Sequence, residues 1–258
     1  MSWVPLSKTE HSEKALIKNK NFKFVEREII TDLFNFEFEK AISCVPIFFA
    51  ESENKIRAVG LMGLEKNKNL FVQEGGMWIL PHFIPATIAS FPFRALDTED
   101  KKNIIVFKED SDLIVDRAEG LALFDKKGNE TDVLKHYLGL IAKIKQAQQI
   151  GDEVGFLLKK LKLLEQFNLK IPRKDGTNIE ISGLQKIKLS VFKALDDDKF
   201  LELRKTSALD FIYAHFYSLS GIQALMMLRN RNLSTEHGLK EIGSQIFDPT
   251  EDELDFNL

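Results

Sequence analysis

The residues of this chain best suited to chemistry lie in one short segment, Tyr213-Ala214-His215-Phe216-Tyr217-Ser218. A histidine followed three residues later by a serine puts both side chains on one side of a helix, within reach of a shared hydrogen bond. Such a pair serves either ligand binding and proton transfer, or the satisfaction of polar groups inside a core. The other histidines, His11, His82, His136 and His237, form no i,i+4 pair and no metal-ligand motif. The acidic run from Glu109 to Glu119 fails as a calcium loop. Counted from Asp110, the required glycine and glutamate positions hold Val115 and Leu121. That run reads as a solvated loop, and Asp196-Asp197-Asp198 reads as a helix cap. Phosphate-loop, dinucleotide and nucleophile-elbow motifs are all missing from the sequence. No catalytic residue, metal site or cofactor is therefore assigned, and the reading leans away from an enzyme. An enzymatic alternative would use His215 or His82 with nearby carboxylates, and it requires those side chains to open into a cleft.

The elements around this segment follow from periodicity. The alternation Phe22, Phe24 and then Phe34, Phe36, Phe38 predicts half-buried strands, and Ile47-Phe48-Phe49 predicts another. Residues 57–64 and 69–73 predict a hairpin across the polar turn 65–68. A short helix is expected over 84–90 with Pro85 near its start, then a strand over 103–107. Apolar spacings of three and four from Thr131 to Phe167 predict two helices, parted at Gly151-Asp152, with Asp152 capping the second. Residues 169–171 and 179–181 predict a second hairpin turning at Asp175-Gly176. A helix through Arg204 follows the acidic triplet.

Residues 208–228 form the most apolar stretch, 21 residues with Asp210 as the only charge. The length would span a bilayer. Its Asp210, Tyr213, His215, Ser218, Ser220 and Gln223 argue instead for a helix buried in a protein core, so no transmembrane segment is expected. The fold class that results is α+β. A β-rich N-terminal half of antiparallel strands packs with a C-terminal helical half containing the buried central helix and a β-hairpin. Residues 1–20 read as a flexible arm, 21–230 as a single unit, and 231–258 as a polar linker with an acidic tail.

Composition narrows the function classes. The 258 residues carry 36 basic against 39 acidic side chains, a formal charge of −3, with 44% hydrophobic and 29% charged residues. These are globular proportions, and no net basic face points to nucleic acid. The single cysteine, Cys44, sits in apolar sequence and reads as a buried, inert thiol. No N-terminal apolar run marks a secretory signal. The expected location is therefore the cytoplasm, or the cell surface by a route that needs no signal peptide. The five acidic residues from Asp248 to Asp255 lie beside Leu254, Phe256 and Leu258, in keeping with an export signal or docking peptide.

Four segments in order resemble one family. They are Val59-Gly60-Leu61-Met62-Gly63-Leu64 running on through Gly76-Met77-Trp78 to Phe91-Pro92-Phe93; Asp112 to Asp116 with Gly120-Leu121-Ala122-Leu123-Phe124-Asp125; Asp175-Gly176 with Ile181-Ser182-Gly183-Leu184; and Ile212-Tyr213-Ala214-His215 with Ser218-Leu219. Together they resemble the SapC family, named after a gene in a bacterial surface-layer (S-layer) locus. The resemblance implies an S-layer-associated protein, either a surface component or an assembly or export accessory, with a protein or peptide partner. It adds Trp78 and Asp116 to Tyr213, His215 and Ser218 as family-motif residues. Two positions depart from the family. Val45 stands where a histidine is usual, and Lys188-Leu189 where an Asp-Glu pair is usual, which favours a structural or binding role over a catalytic one. The alternative is a cytoplasmic accessory to a modifying enzyme or transport system, binding an extended peptide at an exposed sheet edge.

Overall fold

The computed structural model describes residues 3–18, 20–79, 83–97, 103–172 and 177–229. In chain order the strands are β1 (Trp3–Pro5), β2 (Lys14–Leu16), β3 (Ile30–Asp32), β4 (Ile47–Ser52), β5 (Lys55–Leu61), β6 (Phe93–Asp97), β7 (Asn103–Lys108), β8 (Ile114–Asp116), β9 (Leu121–Ala122), β10 (Leu164–Pro172) and β11 (Asn178–Ile187). The helices are α1 (Phe38–Ala41), α2 (Ala86–Ser90), α3 (Asp132–Lys160), α4 (Leu189–Lys193), α5 (Asp197–Lys205), α6 (Ala208–Ser218) and α7 (Gly221–Arg229). The fold is α+β, with antiparallel sheets mainly in the N-terminal half and helices mainly in the C-terminal half. The strands make a five-stranded sheet in the order β10-β11-β4-β5-β3, and two three-stranded sheets, β1-β7-β6 and β8-β2-β9.

Residues 3–18 are not a loose arm. β1 pairs with β7, and β2 inserts between β8 and β9. The short apolar stretches Trp3-Val4 and Ala15-Leu16 suffice because partner strands complete them; Ala15 and Leu16 are buried. The Phe22–Phe38 alternation does not form strands either. Short 3-10 turns at Lys23–Val25 and Asn35–Glu37 and the helix α1 bury Phe34 and Phe38, leave Phe22 and Phe24 half-buried and expose Phe36. The first hairpin is β4–β5, one element earlier than expected. Its two turn residues, Glu53 and Asn54, take φ of 51° and 61°, the left-handed pair that a two-residue hairpin requires. Residues 65–68 do turn, but 69–73 form no strand: the Asn69 side chain accepts from the Phe71 N–H and donates to the Val25 carbonyl, which holds an irregular loop.

α3 is one helix of 29 residues rather than two. Its buried stripe runs unbroken through Ile141, Ile144, Ala147, Val154 and Leu158, which outweighs the roughly 1 kcal/mol that a mid-helix glycine costs. Asp152 caps nothing and pairs instead with Lys55. The predicted helical reading of Leu164–Phe167 gives way to β10. The two halves of α3 serve two cores. The N-terminal half packs Leu134 and Ile141 with Phe93, Phe107, Leu123 and Phe124. The C-terminal half packs Val154, Leu157 and Leu158 with the five-stranded sheet and α6.

Gly155 makes the second contact possible, since a Cβ there would lie 2.2 Å from the Ile56 carbonyl oxygen. Gly155→Ala is therefore expected to push α3 off β5 and cost about 1–3 kcal/mol, measured as a fall in the urea midpoint. An unchanged midpoint would mean that the helix rides more loosely on the sheet.

The apolar stretch 208–228 is two helices, α6 and α7, bent by 44° at the break. Among the described residues no single helix is long and apolar enough to cross a membrane, although this bent pair passes on length and composition together. The bend brings Gly221 against Pro46, where a Cβ would come within 3.2 Å of the ring. Asp196 accepts from the Lys199 N–H and caps α5 as expected. Cys44 is partly exposed rather than buried, because α1 ends just before it and turns it toward the surface. The Asp175-Gly176 turn, His82, His237 and the acidic tail lie outside the described residues.

Candidate functional site

α6 presents two chemically distinct faces, and the residues singled out in the sequence divide between them. His215 and Ser218 lie on the inner face against β4, 1% and 0% exposed. The His215 Nδ1 lies 2.7 Å from the Ile47 carbonyl oxygen, and the Ile187 N–H donates to Nε2 at 3.3 Å. These partners fix the neutral tautomer with its proton on Nδ1. Ser218 accepts the Ile47 N–H at 2.8 Å and donates to the His215 carbonyl at 2.9 Å. The pair thus holds both backbone groups of Ile47 at the start of β4 and one of Ile187 at the end of β11. Phe48, Phe49 and Phe216 surround the imidazole. Burial lowers its pKa from 6.5 to about 4. Every lone pair and proton of the ring is occupied by backbone. With the ring buried and both nitrogens bonded to backbone, the geometry is that of a histidine that holds strands in place.

The outer face carries Tyr213 and Tyr217, 39% and 56% exposed, with their rings stacked 6.1 Å apart. Phe192 of α4 meets Tyr213 edge-on at 6.1 Å and also contacts Phe200 of α5, which is 39% exposed. α4, α5 and α6 together therefore build a ledge of four aromatic rings at the surface. The i,i+4 spacing of Tyr213 and Tyr217 is a legible helix-face signal; the contributions of Phe192 and Phe200 come from tertiary packing.

Trp78 and Asp116 do not join this group. The Trp78 indole N–H donates to the Phe83 carbonyl at 2.8 Å, and its ring rests on Phe22 and Phe71. Asp116 ends β8 as an exposed carboxylate 3.9 Å from Lys14. No hydrogen bond, ion pair or ring contact links either residue to α6 among the described residues.

Sequence reasoning missed a second buried constellation, around α2. Glu37, 7% exposed, accepts the Ala86 N–H at 2.6 Å and the Phe34 N–H at 3.0 Å. Lys20 donates to the carbonyls of Ile88, Ala89 and Phe91 at 3.1, 2.9 and 2.7 Å. A carboxylate thus sits at the N-terminal end of α2 and an ammonium at its C-terminal end, as the helix dipole favours. Burial pushes Glu37 up to about 7 and Lys20 down to about 8. Nearby, Asp32 pairs with Arg57 at 3.1 Å, and burial raises its pKa against the pull of that guanidinium. The only sequence signal was Glu37 three residues after Phe34, a capping-box spacing without the usual Ser or Thr. Among the described residues, no group of three or more His, Cys, Asp or Glu side chains is placed to hold a metal ion.

Fold and site together define an α+β protein whose helix-borne His–Ser pair is spent on strand positioning and whose exposed aromatics face outward. The chain belongs to the SapC family, whose model matches residues 6–225. No curated protein and no solved structure matches it.

Proposed function

We propose that this protein is a non-catalytic, S-layer-associated accessory that works by binding another protein through the aromatic ledge of α4–α6. The observation that carries the reading is the division of α6: its reactive side chains are locked into backbone, while Tyr213 and Tyr217 stand exposed beside Phe192 and Phe200. Exposed tyrosines beside apolar rings are typical anchors of a protein interface. The S-layer assignment itself rests on the family's association.

Photo-crosslinking from position 217 in cells tests both parts. An S-layer or export component captured there supports the proposal. Capture of a modifying enzyme or transporter subunit favours the cytoplasmic-accessory reading, and no specific adduct removes the ledge as an interface. Replacing both Tyr213 and Tyr217 by alanine is expected to cost the fold no more than about 1–2 kcal/mol, since both rings lie at the surface. The same double variant should weaken capture at least tenfold, as loss of a hot spot does. Fractionation of the full chain beside a form truncated after Phe247 then separates surface delivery from an internal role.

A further inference from the structure

β6 is the edge of its sheet, and its outer edge is open. Lys108 donates to the Pro92 carbonyl and Leu6 donates to the Ile105 carbonyl, which sets the ladder. Arg94 and Leu96 therefore exchange their backbone bonds with Val106 and Ile104 of β7, and the N–H and C=O of Phe93, Ala95 and Asp97 point away from it. None of these outward groups has a hydrogen-bond partner among the described residues.

The edge is partly sheltered: Phe93 is buried, while Arg94, Leu96 and Asp97 are exposed. It lines a cleft of about 570 Å³, within the usual range for ligand sites of roughly 300–1,000 Å³. Ile141, Ile144 and Gln148 of α3 form one wall, and Glu53 and Arg57 of the β4–β5 hairpin form another. Arg94, on the opposite face of β6 from Ala95, also borders the cleft, and its guanidinium stacks 3.9 Å from the centre of the Trp3 ring, with no carboxylate partner among the described residues. The other cations of the cleft are already neutralised: Arg57 pairs with Asp32, and Lys145 pairs with Asp97 at 2.7 Å. The contrasting edge, β10, is interrupted by a register shift between Phe167 and Leu169 and carries Lys170, features that discourage strand addition.

We propose that the outer edge of β6 takes up a short extended peptide that carries an acidic side chain. Its backbone pairs with Phe93, Ala95 and Asp97 as an added strand. Small apolar side chains on one face lie toward Ala95 and α3, and a carboxylate on the other face meets Arg94. This site shares no residue with the aromatic ledge and stands or falls independently of it.

The probe is the blocked pentapeptide acetyl-Val-Glu-Ala-Glu-Val-amide, with its Gln-for-Glu counterpart as comparison. On the full chain, the acidic peptide is expected to bind measurably by calorimetry and to slow amide exchange at Ala95 and Asp97. Ala95→Pro removes an outward N–H while leaving the β7 ladder intact, a position where edge strands accept proline. That variant should keep its melting temperature and bind at least tenfold more weakly. Arg94→Ala should abolish the preference for Glu over Gln. Equal binding by Ala95→Pro, or no added protection at Ala95 and Asp97 in the wild-type chain at millimolar peptide, overturns the proposal. Should Ala95→Pro not fold, the exchange measurement on the wild type decides alone.

Discussion

His215→Ala is expected to lower the stability of the folded chain by about 3–5 kcal/mol. Two effects add. Removing the imidazole leaves the Ile47 carbonyl and the Ile187 N–H buried without partners, at about 1–3 kcal/mol each. It also opens a void among Phe48, Phe49 and Phe216, which close packing cannot fully collapse. For a chain of this size the loss corresponds to a melting temperature lower by about 6–20 °C. Thermal unfolding of the purified variant measures it. A fall of less than about 1 kcal/mol would show that β4 is held in place without the imidazole, and the histidine would need another explanation.

The central helix and its polar pair were legible in the sequence because their signals are local. A three-residue spacing between His215 and Ser218 puts both on one helix face wherever that helix lies. What the pair holds was not legible, since Ile47 and Ile187 are 168 and 28 residues away from His215. The α+β class, the β7 strand, the start of α2 at Pro85 and the Asp196 cap likewise follow from short-range pattern.

Failures came where tertiary contact overrode local cues. Gly151-Asp152 looked like a break, yet a continuous apolar stripe on both sides carried α3 through it. The Phe22–Phe38 alternation looked like strand, but turns and α1 bury Phe34 and Phe38 while Phe36 stays exposed. Residues 1–20 looked unstructured because Trp3-Val4 and Ala15-Leu16 are too short to signal alone, and their strands exist only through β7, β8 and β9. The α2 clamp was invisible for the same reason: Lys20 and Glu37 are polar residues in polar stretches, and only the fold brings them to the two ends of one helix.

Glu37 carries the second large effect, and its pH dependence runs opposite to that of His215. Glu37→Ala is expected to cost about 2–4 kcal/mol near neutral pH, because the N–H groups of Phe34 and Ala86 both lose their acceptor inside the core. The pH dependence is the sharper test. Glu37 titrates at about 7 in the folded chain against 4.5 unfolded, so the folded state binds the extra proton between those values. Its contribution is complete below pH 4.5 and is lost as pH rises through 7, about 3 kcal/mol in all. His215 titrates at about 4 folded against 6.5 unfolded, so there the unfolded state binds the extra proton. That contribution is complete above pH 6.5 and is lost as pH falls through 4, again about 3 kcal/mol.

Between pH 4.5 and 6.5 the two slopes run against each other and largely cancel. Glu37→Gln keeps the shape of the side chain and removes one of the two slopes. Urea unfolding of this variant across the window should therefore show stability falling more steeply with acid than in the wild type, by about 2–3 kcal/mol from pH 6.5 to 4.5. Parallel curves for variant and wild type would mean that Glu37 stays ionised through the window. In that case the two backbone N–H bonds outweigh burial at this site, and the carboxylate at the head of α2 keeps its charge at every pH in the window.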